Sequence, residues 1–178
     1  MERTIFNPIF DDYCTFVKTS GETNGRISEL EVRLGAGGGN PMHRHTAFTE
    51  TFTAINGNLG LTVKGKKISL KPGETMTVQR GEPHQFFNEG SQEIKFHLVF
   101  TPGHTGGENM LRIMYGLARD GKTNKKGLPN LMTIAVVGEM GDSMVTGVLS
   151  LLSPILKWMA TKARKQGLDK MLLEKYCS

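Results

Sequence analysis

Two periodicities divide the chain. From Cys14 to about Phe100, apolar and polar residues alternate in short runs, the two-residue period of strands that bury one face. Residues 1–12 read as an irregular lead-in or an edge strand. Cys14–Ser20 and Arg26–Leu34 follow, joined by a turn at Gly21-Glu22-Thr23-Asn24-Gly25, with Ile27, Leu30, Val32 and Leu34 broadly on one side of the second. The glycine run Gly35-Ala36-Gly37-Gly38-Gly39 gives a steep entry into a strand carrying His43 and His45. Beyond it, Thr46–Ile55, Leu59–Lys64, Lys66–Leu70, Glu74–Gln79, His84–Asn88 and Glu93–Phe100 continue the series, with Asn56-Gly57 predicting a two-residue hairpin. About nine short strands at this spacing predict an antiparallel barrel or sandwich.

After Pro102 the period changes to that of helices. Thr105 with Glu108 has the form of a capping box, and Met110, Ile113, Met114 and Leu117 recur at helical spacing, predicting a helix over about 106–119. Pro129–Met140 carries β-branched residues but has the length and apolar breadth of a helix, and is assigned helical. Ser153-Pro154 predicts an N-cap and first turn, Gly167 a stop, and Asp169–Tyr176 a last short helix. The polar stripe Ser150, Ser153, Lys157, Thr161, Arg164 is narrow, so these helices are expected to bury much of their surface.

A chain of 178 residues accommodates one domain with an appendage. The expected division is a β domain over residues 1–102 and a helical extension over 103–178 that packs on it or on a partner subunit. The net charge of +5 arises wholly in the C-terminal part: residues 1–100 hold 11 basic and 11 acidic side chains, residues 101–178 hold 11 and 6. The excess is diffuse and lacks interleaved aromatics, which argues against nucleic acid as a partner. Cys14 and Cys177 have no framework spacing and read as reduced thiols. With no apolar leader and no apolar run of about 18 residues, the expected location is cytoplasmic. The segment from Gly116 to Thr123 satisfies a phosphate-loop expression, but it sits at the end of an amphipathic helix, where backbone amides are not presented to a phosphate.

Candidate chemistry concentrates in two windows. The first is Gly37-x5-His43-x-His45-x4-Glu50-x6-Gly57, and the second Gly73-x5-Gln79-x-Gly81-x2-His84-x3-Asn88. Strand alternation lets His43 and His45 share a face and turns Arg44 away. Three imidazoles and a carboxylate suit a divalent transition metal such as Fe, Mn, Ni, Co or Zn. The two windows resemble the paired motifs of the cupin superfamily at every defined position but one, Gln79 standing where the family has proline. That resemblance implies a mainly β fold, a double-stranded β-helix or jelly-roll barrel followed by C-terminal α-helices, with His43, His45, Glu50 and His84 as metal ligands. It also implies either a metal-dependent enzyme, a quercetinase-like dioxygenase or an isomerase acting on a small organic substrate with Glu50 as a proton acceptor, or a non-catalytic module that senses a small molecule or a metal.

Phe48, Phe52, Met76, Phe86 and Phe96 are candidates for an apolar pocket at the open metal position. His97 is a candidate for supporting a ligand or accepting a proton, and His104 reads as a surface residue. Seven of the ten methionines lie between Met110 and Met171, which favours a capping or homodimer-forming role for the helices over contact with a membrane.

Overall fold

A computed structural model describes residues 2–178. Among them, eleven strands run β1 (Thr4–Asn7), β2 (Asp12–Lys18), β3 (Ser28–Leu34), β4 (His43–Arg44), β5 (Thr49–Asn56), β6 (Leu59–Val63), β7 (Lys66–Leu70), β8 (Thr75–Val78), β9 (His84–Phe87), β10 (Ile94–Thr101) and β11 (Met144–Val145). They form two antiparallel sheets, β1-β2-β3-β10-β5-β8 and β11-β4-β9-β6-β7. The sheets enclose one core, and the described strand pairs leave the jelly roll open rather than closing it into a continuous barrel.

The alternation in β3, β5 and β10 is what builds that core. Register places Leu98 of β10 beside Leu30 of β3 and Phe52 of β5, and Phe96 beside Val32 and Ala54, so one face of three neighbouring strands is apolar. Leu59, Leu61 and Val63 of β6 cover it from the second sheet. The N-terminal lead-in supplies a true edge strand at Thr4–Asn7, β1 pairing with β2.

Asn56-Gly57 does not make the expected hairpin. β5 pairs with β10 and β8, whereas β6 pairs with β7 and β9, so this segment carries the chain from one sheet to the other. Gly57 still has a left-handed φ of 74°, and a Cβ there would meet Ile94 Cγ2 at 2.5 Å. The two-residue hairpin falls at Lys64-Gly65, with φ of 51° and 77°, between β6 and β7.

The helices are α1 (Thr105–Arg119), α2 (Leu131–Met140), α3 (Ser153–Lys165) and α4 (Leu168–Tyr176), with a 3-10 segment Gly147–Leu152 before α3. The capping box is not formed. His104, half-buried rather than a free surface residue, caps α1 by accepting from the Gly107 amide at 2.9 Å. Glu108 turns inward and takes 2.5 Å bonds from the Ser20 amide and the Ser28 hydroxyl, because a buried carboxylate needs donors that solvent cannot supply. This pair of bonds ties α1 to the strands. Ser153 lies inside α3 without a side-chain cap, since the preceding 3-10 turn already delivers the chain in helical form. Gly167, with φ of 76°, separates α3 from α4 as expected. The helices share a second core around Ile113, Val136, Val137, Ala160, Ala163 and Leu172, into which Met110, Met114, Met132, Met140 and Met159 pack. Cys14 and Cys177 are free. No helix among the described residues is long and apolar enough to cross a membrane.

Asp12, the first residue of β2, is 5% exposed and its Oδ1 has no partner among the described residues. Burial raises its pKa to about 7 against the opposing hydrogen bond from Tyr115, with Asp11 adding to the rise. An unfolded aspartate titrates near ~3.9. The folded chain therefore holds a proton that the unfolded chain loses, and stability falls as pH rises from about 4 to about 7, by up to about 4 kcal/mol. Asp12→Asn removes this dependence. Its melting temperature relative to the parent should climb steadily between pH 5 and pH 8; a difference that does not change with pH refutes the assignment.

Candidate metal centre

The short strand β4 brings the two windows together. It is paired with β9 at His43 and His84, and with β11 through Val145 beside His43 and Met144 beside Arg44. His45 follows β4 directly, Glu50 is the second residue of β5, and His84 the first of β9. Alternation in β5 turns Glu50 inward together with Phe52 and Ala54, and Arg44 is exposed between the two histidines. One donor atom from each of His43, His45, Glu50 and His84 lies within 4.8 Å of the others. His45, Glu50 and His84 are 4%, 6% and 1% exposed, whereas His43 is half-buried and marks the side nearest solvent.

The histidines are held by their outer nitrogens. Nδ1 of His43 bonds to the Pro41 carbonyl at 2.8 Å, Nδ1 of His45 to the Asp142 carbonyl at 2.9 Å, and Nδ1 of His84 to the Glu82 carbonyl at 2.9 Å. A carbonyl oxygen only accepts, so each Nδ1 carries the proton and donates. In a neutral ring this leaves Nε2 as a bare lone pair aimed at the centre. The Nε2 atoms of His43 and His45 are 2.9 Å apart with no proton to share. His84 Nε2 is 2.6 Å from Glu50 Oε2, and His45 Nε2 is 3.7 Å from Glu50 Oε1. The bare Nε2 atoms of His43 and His45 and the Glu50 carboxylate converge where a cation could sit, and the outer carbonyl bonds are of the kind that orient histidine ligands of metals.

Electrostatics agree. Burial lowers His43 to about 4, the charges of His45 and His84 adding to the effect and Glu50 opposing it. Burial likewise lowers His45. His84 is raised: burial pulls it down, but the hydrogen bond and charge of Glu50 prevail. Glu50 is lowered, because the bond from His84 and the three neighbouring rings outweigh the cost of burying it. Without metal, the centre is thus one ion pair, His84 donating to Glu50, beside two neutral rings.

Two supporting residues had no signature in the sequence. Asp142, in the turn between α2 and β11, sits 97 positions from His45 and holds it by its carbonyl. Its carboxylate accepts from the Thr46 amide at 2.5 Å, the Ala47 amide at 2.6 Å and the Thr46 hydroxyl at 2.9 Å. Together with the β11–β4 pairing, this makes the helical extension part of the wall of the centre. Glu82 is the second. Its carbonyl holds His84, and its carboxylate accepts from the Gln79 amide at 2.9 Å and pairs with Lys64 at 2.5 Å. A proline at position 79 has no N–H to give, so the glutamine replaces ring stiffness with a hydrogen bond across the turn.

The pocket candidates divide. Phe48 stacks on His45 at 4.3 Å and also meets Phe100 and His104. Phe52, Phe86 and Phe96 form one aromatic cluster on the His84 side, Phe52 lying 6.3 Å from the His84 ring, and Met76 packs against the same core. Phe52 and Phe96 are fully buried core residues. His97 does not join the centre: β10 alternation puts it on the outer face, 3.6 Å from Glu31.

Residues 30–100 match a family model described as Cupin domain. Among solved structures, the chain is similar to a predicted oxalate decarboxylase from Thermotoga maritima, with 18% identity over 51% of this chain and 80% of that one and a TM-score of 0.49. It is similar to the polyketide cyclase RemF from Streptomyces resistomycificus at 24% identity, over 51% of this chain and 64% of that one, with a TM-score of 0.46. A sugar phosphate isomerase from Silicibacter pomeroyi gives 21% identity, 51% and 59% coverage, and a TM-score of 0.45. The chain thus spans less than two thirds of the last two. No curated protein sequence matches the chain.

Proposed function

We propose that the chain, whose residues 30–100 match the Cupin domain family, binds one divalent transition metal through His43, His45, Glu50 and His84 and acts there on a small oxygen-bearing organic molecule. The observation that carries this reading is the convergence of donors: three Nδ1 atoms bond to carbonyls, so the bare Nε2 atoms of His43 and His45, the Nε2 that His84 gives to Glu50 and the Glu50 carboxylate all face one point. Four protein donors leave one or two positions on a five- or six-coordinate ion, and Fe, Mn, Ni, Co and Zn all accept this donor set. Such an ion, when bound, activates oxygen or polarises a carbonyl, the chemistry of a dioxygenase or an isomerase.

The chain's own part is positional. Half-buried His43 lies on the side from which a ligand enters, Phe48 covers His45 against water, and the cluster of Phe52, Phe86 and Phe96 gives the other flank an apolar wall. Glu50 is held ionised below its ordinary range, which suits a ligand better than a proton acceptor. That weak basicity favours a second reading, a module that binds the small molecule without turnover.

Metal analysis after anaerobic reconstitution, followed by oxygen uptake against phenolic and diketone substrates, separates these. One equivalent of metal with turnover supports the enzyme. One equivalent with only a ligand-induced rise in melting temperature supports the binding module. A protein that retains none of the five metals refutes both.

A further inference from the structure

The apolar residues of the C-terminal region split into two sets. Leu156, Met159, Ala160 and Ala163 of α3 turn inward to the helical core. Leu151, Leu152, Ile155 and Trp158 do not, and are 77%, 46%, 54% and 63% exposed. Leu151 and Leu152 stand four and three residues before Ile155, and Trp158 three after it, so they share one face at the junction of the 3-10 segment and α3. The expectation that these helices bury their apolar surface holds for Met110, Met114, Met132, Met140 and Met159 and fails for this ridge and for Met171.

The charge around it has one sign. Between Asp142 and Asp169 the chain has no acidic residue, while Lys157, Lys162, Arg164 and Lys165 fall within or beside the ridge. Arg164 is paired with Glu139 at 2.8 Å. Lys157, Lys162 and Lys165 form no ion pair among the described residues, and Lys162 Nζ lies 5.4 Å from the Trp158 ring.

We propose that this face docks on an anionic lipid bilayer, lying in the interface with Trp158, Ile155 and Leu151 at the acyl boundary and the three lysines among the headgroups. A bulky apolar ridge with tryptophan, flanked by lysines, is the composition that interfacial binding selects. Charge complementarity decides between occupants: a second copy would set the lysines against their own counterparts, and the carboxylate beside the face, Glu139, is already paired with Arg164. The docking segment begins at Gly147, two residues beyond Val145, which pairs with His43, so a docked chain keeps the rim of the metal centre near the lipid surface. The docking itself does not depend on any metal.

Trp158 is the chain's single tryptophan, so its emission reports on this face alone. The full chain is titrated with vesicles of phosphatidylglycerol and phosphatidylcholine, and with phosphatidylcholine alone. Emission should shift to the blue and protein should sediment with the anionic vesicles only, and both effects should fade with salt. Lys157→Glu/Lys165→Glu should weaken binding at least about 25-fold, at about fivefold per lysine lost. Ile155→Glu, at an exposed position and with its fold checked by circular dichroism, should abolish the shift. Three results each overturn the proposal: no shift with anionic vesicles at low salt, equal binding to neutral vesicles, or a blue shift in lipid-free protein that grows with concentration as the mass doubles, which assigns the face to a second copy.

Discussion

His43→Ala should lose metal while keeping its stability, and His84→Ala should lose both metal and stability. His43 is the half-buried member of the four, and its Nε2 faces the lone pair of His45 rather than a donor. Removing it relieves a repulsion in the metal-free protein, so denaturant stability in chelator should stay within about 1 kcal/mol of the parent. Metal affinity should fall by more than about 100-fold, since even residues that merely support a ligand cost 10- to 100-fold. His84 instead holds Glu50 in a buried ion pair at 2.6 Å. Its removal strands a buried carboxylate and should cost about 3–5 kcal/mol without any metal present. Chelator competition and urea unfolding on both variants provide the check; equal metal retention by His43→Ala and the parent rules out ligation by His43.

The His43 pair also fixes a sign for acid. Its folded pKa of about 4 lies below the unfolded value near ~6.5, so as pH falls through that interval the unfolded chain takes up a proton that the folded chain refuses. Metal-free parent should therefore lose up to about 3 kcal/mol more stability than His43→Ala between pH 7 and pH 4.

The second large effect is expected far from the motifs. Asp142→Ala removes the carboxylate that takes both the Thr46 and Ala47 amides and the Thr46 hydroxyl, freeing the segment that carries His45. The carbonyl that orients His45 remains, held then by its own turn and the short β11–β4 pairing but no longer tied to Thr46 and Ala47. Affinity for Zn or Co should drop about 10- to 100-fold, and the visible bands of the Co-loaded protein should change as His45 reorients. Exchange of the Thr46 and Ala47 amides should accelerate even in metal-free protein, which distinguishes a loosened support from a lost ligand. Unchanged affinity with accelerated exchange would show that His45 needs no help from the helical extension.

What the residues alone could specify follows from which interactions are local. Strand alternation and helix period are properties of neighbouring residues, so most elements were legible to within a few residues; they gave an antiparallel barrel or sandwich, and the jelly-roll class came from the resemblance of the two motifs to those of the cupin superfamily. Partner choice is not local. Asn56-Gly57 had the chemistry of a hairpin, yet β5 and β6 bury their faces in different sheets, and burial outweighs the turn. Thr105 and Glu108 had the form of a cap, yet Glu108 is drawn to Ser20 and Ser28 by contacts 80 or more positions away.

The candidate ligands were readable for a similar reason: within each window, His43, His45 and Glu50, and separately His84, stand at spacings that a strand or turn converts directly into direction. By itself the sequence determined the candidate donor set, the strand-rich body and the apolar, basic texture of the end of the chain. Only the tertiary structure decided which nitrogen of each histidine faces the centre, that Asp142 and β11 close its wall, that His97 lies outside it, and that Leu151, Leu152, Ile155 and Trp158 stay in solvent. Tautomer, wall and exposed ridge all depend on groups brought together from distant positions, and no spacing along a chain records those.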